Sequence, residues 1–258
     1  MKKRLFLLIL ICTIFAISAD AKNYNVYSPK VYKQSNLVQS NMGQKGDVIE
    51  LVVDYSSSMT HWIGVAKSTL QSILPKVPAT TNVGLRVFGQ SSGNFFVADL
   101  FNACKATKLV SFPRSSNTSS VISGLYSTKI GAATPLTYAL ERTVYQDFSA
   151  FPKNVKKKIV LVTDGGETCH RDPCAFVREL MATRSDIVID VIIVNGSDNL
   201  RCLADATHGK YYKIGTDNDF GNAMGVSFGT QPENSFSPQP QNVNSNGNGN
   251  KIHYEFIQ

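Results

Sequence analysis

Apolar residues fall into two textures along the chain. "DVIELVVDY" from Asp47, "KKIVLVT" from Lys157 and "DIVIDVIIV" from Asp186 are short, nearly continuous and rich in Val and Ile. Such runs predict strands buried on both faces. Between them the spacing changes. Trp62, Val65, Ala66, Leu70, Ile73 and Leu74 make one helical stripe that Pro75 limits. "SSVISGLYSTKI", "PLTYALERTVYQDF", "DPCAFVRELMATR", "NLRCLADATHG" and "DNDFGNAMGVSF" also read as helices, and "KYYKIGT" as a short strand. In the second of these helices, Thr134 and Pro135 read as N-cap and first helical residue. "NVGLRVFG" and "NFFVADLF", joined by "QSSG", predict an antiparallel hairpin.

Strands alternating with amphipathic helices predict an α/β fold. We expect a doubly wound, mostly parallel central sheet with helices on both faces and one antiparallel edge strand. This domain should run over residues 46–228. Both flanks differ from it. Residues 1–21 join a basic start to an apolar run too short for a membrane span and end in small residues, "ADA". They read as a secretory signal peptide cut after Ala21. Residues 22–45 read as an extended arm, residues 229–250 as a disordered linker rich in Gln, Pro, Asn, Ser and Gly, and residues 251–258, "KIHYEFIQ", as a strand-like tail. An exported protein of the periplasm, cell envelope or exterior follows, with no transmembrane helix in the mature chain.

Removing the signal leaves 23 basic and 18 acidic residues, a net charge of +5. That excess is too small to argue for a nucleic-acid partner. Lys156, Lys157 and Lys158 read as a solvated corner before a strand. Cys104, Cys169, Cys174 and Cys202 remain, an even count suited to two disulfides in an oxidising compartment. Sequence leaves three pairings open. The short "CHRDPC" loop makes a local Cys169–Cys174 bridge the first expectation. Zinc would need a second close Cys or His pair, which the spacing lacks.

Ligands of an open parallel sheet bind beyond the carboxyl ends of its strands. Three segments deliver oxygen there: Asp54, Ser56 and Ser58 after the first strand, Thr134 at a helix start, and Thr163 and Asp164 after "IVLV". Oxygen donors without histidine or thiol suit magnesium or manganese, and calcium prefers more carboxylates. Taken singly, the serines could cap a helix and Asp164 could fix a glycine turn. "DYSSS", "GAATPL" and "VTDGG", in this order, resemble the metal-ion-dependent adhesion site of von Willebrand factor type A domains. The resemblance covers about residues 45–228. "DGGETCHRDPC" followed by "LRCLADATHGKYY" is also similar to bacterial secreted proteins that carry this domain.

That resemblance implies a Rossmann-like fold in which Ser56, Ser58 and Thr134 touch the metal. Asp54 and Asp164 would act through water and by holding the hydroxyls. The family often has glycine where this chain has Ser57. Its implied partner is a protein that supplies an Asp or Glu to the cation, so a binding module and not an enzyme is expected. Two other readings stand beside it. One is a structural envelope component that acts through its tails, with a vestigial metal site. The other is a metal-assisted hydrolase, for which Asp54, Asp164 and Glu167 are few carboxylates and His61 and His170 lack evident partners.

Overall fold

All seven residues of β1 (Val48–Asp54) and of β2 (Asn82–Phe88) are buried, so both strands sit inside a sheet covered on its two faces. The computed structural model describes residues 46–91, 102–196 and 200–235. The signal, the arm, the predicted strand "NFFVADLF", residues 236–250 of the linker and the tail lie outside the described residues. Four more strands complete the sheet: β3 (Thr107–Arg114), β4 (Lys157–Thr163), β5 (Ile187–Val194) and β6 (Tyr211–Ile214), in the order β3-β2-β1-β4-β5-β6. Every pairing is parallel except β2 with β3. The sheet is therefore mixed and mostly parallel, with its antiparallel strand at one edge.

Strand alternation divides the core in two. Ile49, Leu51 and Val53 of β1 pack in one cluster with α1 (Thr60–Ile73), α2 (Thr118–Ser127) and α6 (Asp217–Ser227). Val48 and Val52 face the other way, toward α3 (Leu136–Arg142), α4 (Pro173–Met181) and α5 (Arg201–Thr207). The winding direction reverses between β1 and β4, and in this class of sheet a crevice opens there, at the carboxyl ends.

Four expectations need correction. The antiparallel partner of β2 is Thr107–Arg114, not "NFFVADLF". Its edge position leaves most of β3 only partly buried, and its register with β2 shifts near Pro113, so no clear period reached the sequence. Helix α3 begins at Leu136, one residue later than predicted, and Thr134 does not cap it. The cap comes from Glu167, whose Oε2 accepts from the Thr137 amide at 2.8 Å. The lysine corner is not solvated at Lys157. That side chain is buried, and its Nζ donates to the carbonyls of Pro152 and Val155 and to Asp186, each within 2.8 Å.

Finally, the disulfides are Cys104–Cys169 and Cys174–Cys202, with Cα separations of 5.4 and 5.6 Å. No local Cys169–Cys174 bridge forms. Cys174 lies in the first turn of α4, which packs on α5 and meets Cys202 there, while Cys169 stays in the preceding loop.

Beneath β2 lies a buried ionic group. Arg86 grips Asp147 with two hydrogen bonds of 2.6 and 2.7 Å, and its Nε lies 4.0 Å from Glu50. Burial first, and then the charge of Asp147, push the Glu50 carboxyl well above its ordinary range. The folded protein thus keeps a proton that the unfolded chain releases above about pH 4.3. Stability must fall as pH rises through that value, because the unfolded state binds fewer protons. Glu50→Gln cannot titrate. Urea melts should show its stability, relative to the wild type, improving as pH rises above about 4.3. A pH-independent difference would contradict a protonated Glu50.

Candidate metal centre

β1 runs straight into the site. Asp54 is its last residue, and Tyr55 keeps pace with β2 by donating its amide to the Phe88 carbonyl at 2.7 Å. The Tyr55 hydroxyl donates to the Leu125 carbonyl at 2.6 Å and anchors this end of the strand to α2. Ser56 is extended, and a single 3-10 turn over Ser57–Met59 then leads into α1. Ser57 lies outside the left-handed region, so a side chain at this position carries no backbone strain.

The Asp54 carboxylate is fully buried and held from two sides. Its Oδ1 accepts from the Ser56 amide at 2.8 Å, and its Oδ2 accepts from the Thr163 hydroxyl at 2.7 Å. Thr163 ends β4 and in turn accepts from the Gly165 amide at 3.3 Å. Two central strands are thus joined side chain to side chain at their carboxyl ends. Above this link, the Ser56 and Ser58 hydroxyl oxygens lie 3.2 Å apart. Ser56 is buried and Ser58 exposed, so the pair opens toward solvent.

The third segment arrives through two glycines. Gly131 donates its amide to the Tyr55 carbonyl at 2.9 Å and bridges Ser56. Gly89 follows β2 with φ +74°, and a Cβ there would stand 2.4 Å from the Ala133 carbonyl and 3.1 Å from the Ser56 amide nitrogen. Only glycine lets the chain before Thr134 lie this close. Thr134 itself is buried and latched to Thr168 in both directions. Its amide donates to the Thr168 hydroxyl at 2.7 Å, and the Thr168 amide donates to its carbonyl at 3.2 Å.

Asp164 is half-buried beside Thr163. Burial raises the Asp54 carboxyl most, and the charge of Asp164 adds to this. Hydrogen bonds from Thr163 and Ser56 work against both, and the result is a pKa of about 6. The crevice therefore holds more negative charge than it solvates. Among the described residues, no group of three or more His, Cys, Asp and Glu side chains is placed to hold a metal. Hydroxyls are the donors the rim offers beside Asp54 and Asp164. The donor set fits a cation: cis oxygens of an octahedron around magnesium are about 3 Å apart, close to the Ser56–Ser58 separation.

Asp54, Ser56, Ser58, Thr134 and Asp164, all named from the sequence, lie on three segments that the fold brings to the carboxyl ends of β1 and β4. Sequence reasoning missed the supports: the Glu167 cap, the Thr168 latch and the two close-packed glycines. Glu167 and Thr168 follow "DGG" directly, but nothing local marks their partners on another segment.

No known family profile matches the chain. It is 29% identical over 185 residues to YwmD, an uncharacterized protein of Bacillus subtilis (strain 168), an alignment covering 68% of this chain and 82% of that one. Among solved structures, a von Willebrand factor type A protein from Catenulispora acidiphila superposes with a TM-score of 0.53 at 16% identity, over 71% of this chain and 43% of that chain. Proximal thread matrix protein 1 from the mussel byssus, described with a zinc-occupied metal-ion-dependent adhesion site, gives 0.53 at 18% identity, over 72% of this chain and 46% of that chain. The chain spans less than half the length of both structural neighbours. These likenesses establish the fold, which is that of von Willebrand factor type A domains.

The Thr163–Asp54 bond should be measurable without metal. Thr163→Val keeps the shape but leaves a buried carboxylate oxygen without its donor. We expect a loss of about 1–3 kcal/mol in urea melts run with chelator at pH 8. The loss should shrink at pH 5, below the Asp54 pKa of about 6, where the unpaired charge is neutralised. An equal loss at both values would contradict a charge-assisted bond.

Proposed function

We propose that the chain is a cation-dependent protein-binding module. Ser56, Ser58 and Thr134 hold magnesium or manganese, and a partner's Asp or Glu completes the coordination. The observation that carries this reading is the Ser56–Ser58 hydroxyl pair, 3.2 Å apart and open to solvent, above a carboxylate locked at both oxygens. Asp54 and Asp164 lie behind the hydroxyls and offset the cation's charge through water. Neutral direct ligands leave that charge under-compensated at the open face, where an incoming carboxylate is the strongest available ligand. The zinc in the mussel protein's corresponding motif supports divalent-cation binding in this fold. Hard oxygen donors favour magnesium or manganese here.

Binding, not catalysis, is the reading we favour. His61 Nε2 lies 3.4 Å from Asp217 Oδ1 in an exposed pair across the starts of α1 and α6, and His170 is exposed in the loop before α4. Export is part of the same proposal: two disulfides fit an oxidising compartment. Among the described residues no helix is long and apolar enough to cross a membrane.

The test is a pull-down with the oxidised chain from Lys22 onward as bait, on cell-envelope and culture-fluid fractions. We expect a partner that is retained in magnesium or manganese and released by chelator. It should be lost with Ser58→Ala, a substitution at an exposed residue that leaves the core untouched. A partner retained under all three conditions would place binding elsewhere and overturn the proposal.

A further inference from the structure

Ser56 and Ser58 are fixed by the end of β1, but Thr134 lies in a long connection between α2 and α3. Its position depends on what braces that connection. On one side the brace is backbone: the Ala133 carbonyl rests against Gly89, and Gly89 donates its amide to the Ala106 carbonyl at 2.8 Å. Ala106 directly follows the 3-10 turn Ala103–Lys105, which carries Cys104, and β3 starts at Thr107. On the other side is the Thr168 latch described above. Its neighbour Cys169 donates its amide to Glu167 Oε1 at 2.7 Å, the carboxylate whose other oxygen caps α3.

Cys104 and Cys169 are bonded to each other. The covalent bond therefore closes a ring of contacts around Thr134: from Ala133 to Gly89, to Ala106 and Cys104, through the disulfide to Cys169 and Thr168, and back to Thr134. Cys104 is exposed and its 3-10 turn buries no residue, so packing contributes little to this ring. The Cys174–Cys202 bond lies outside it, tying α4 to α5.

We infer that the Cys104–Cys169 disulfide, with Thr168, is a positioning device for the third hydroxyl ligand, so the cation site is complete only in the oxidised chain. This rests on the cation-binding reading proposed above. Reduction by a dithiol breaks the S–S bond, gives two protein thiols and leaves the dithiol as its own disulfide. Two electrons and two protons are transferred. The latch loop is then held to the β3 side by no covalent bond, and Thr134 is left with the Gly131–Tyr55 contact and a Thr168 latch that is itself no longer tied down.

The structure supplies its own control. Both disulfides close long loops, of 65 and 28 residues, so removing either should destabilise the fold by a similar amount. Manganese affinity, measured by calorimetric titration, separates positioning from stability. Cys104→Ser with Cys169→Ser should weaken binding roughly tenfold or more, the usual cost of losing a support behind a ligand. Cys174→Ser with Cys202→Ser should stay within about twofold of the wild type, outside that cost. Thr168→Val, which keeps both disulfides, should weaken binding, and Thr168→Ser should restore it. If the first pair fails to fold, the Thr168 variants decide.

Unchanged affinity in a folded Cys104→Ser, Cys169→Ser protein, or in Thr168→Val, overturns the inference. Equal weakening by both disulfide removals overturns it too, because general loosening would then suffice. A folded, oxidised wild type that binds no manganese is a different result, and it defeats the proposed function itself.

Discussion

A carboxylate with no access to water needs a reason to stay charged, and at Asp54 the reason is two donors from different parts of the chain. The Ser56 amide is local and makes the turn out of β1. The Thr163 hydroxyl comes from β4, the strand beyond the topological reversal. The pair of bonds fixes where β1 ends, orients the two serines and closes the crevice floor. Without them the buried charge would be neutralised, and even with them its pKa reaches about 6. The site is built around charge that a cation can offset.

Around that floor the fold supplies rigidity in layers. The serines inherit the order of a central strand whose residues are all buried. Thr134 has no such strand beneath it and is braced by two glycine contacts, the Thr168 latch and the Glu167 cap. The ordered structure also runs on past α6. Thr230 and Gln231 donate their amides to the Gly225 carbonyl, and the Lys210–Glu233 ion pair ties the following turn to the start of β6.

How much of this was legible in the sequence follows from how local each cause is. β1, β4 and β5 could be read because burial on both faces leaves continuous Val and Ile runs. β3 could not, since an edge strand carries little apolar signal and its partner is chosen by the sheet. Asp54, Ser56, Ser58, Thr134 and Asp164 were visible because strand ends and helix starts are themselves visible. The disulfide pairing was not, because it depends on α4 packing against α5. Lys157 misled for the same reason: its buried amine is satisfied by two carbonyls and a carboxylate brought together only in the fold.

The most direct measurement is an anomalous difference map from crystals of the oxidised protein grown with manganese. One peak is expected, bonded at about 2.2 Å to the hydroxyl oxygens of Ser56, Ser58 and Thr134, with Asp54 and Asp164 behind bridging waters. Manganese bound only elsewhere on the chain, or no peak at this rim at saturating metal, would contradict that expectation.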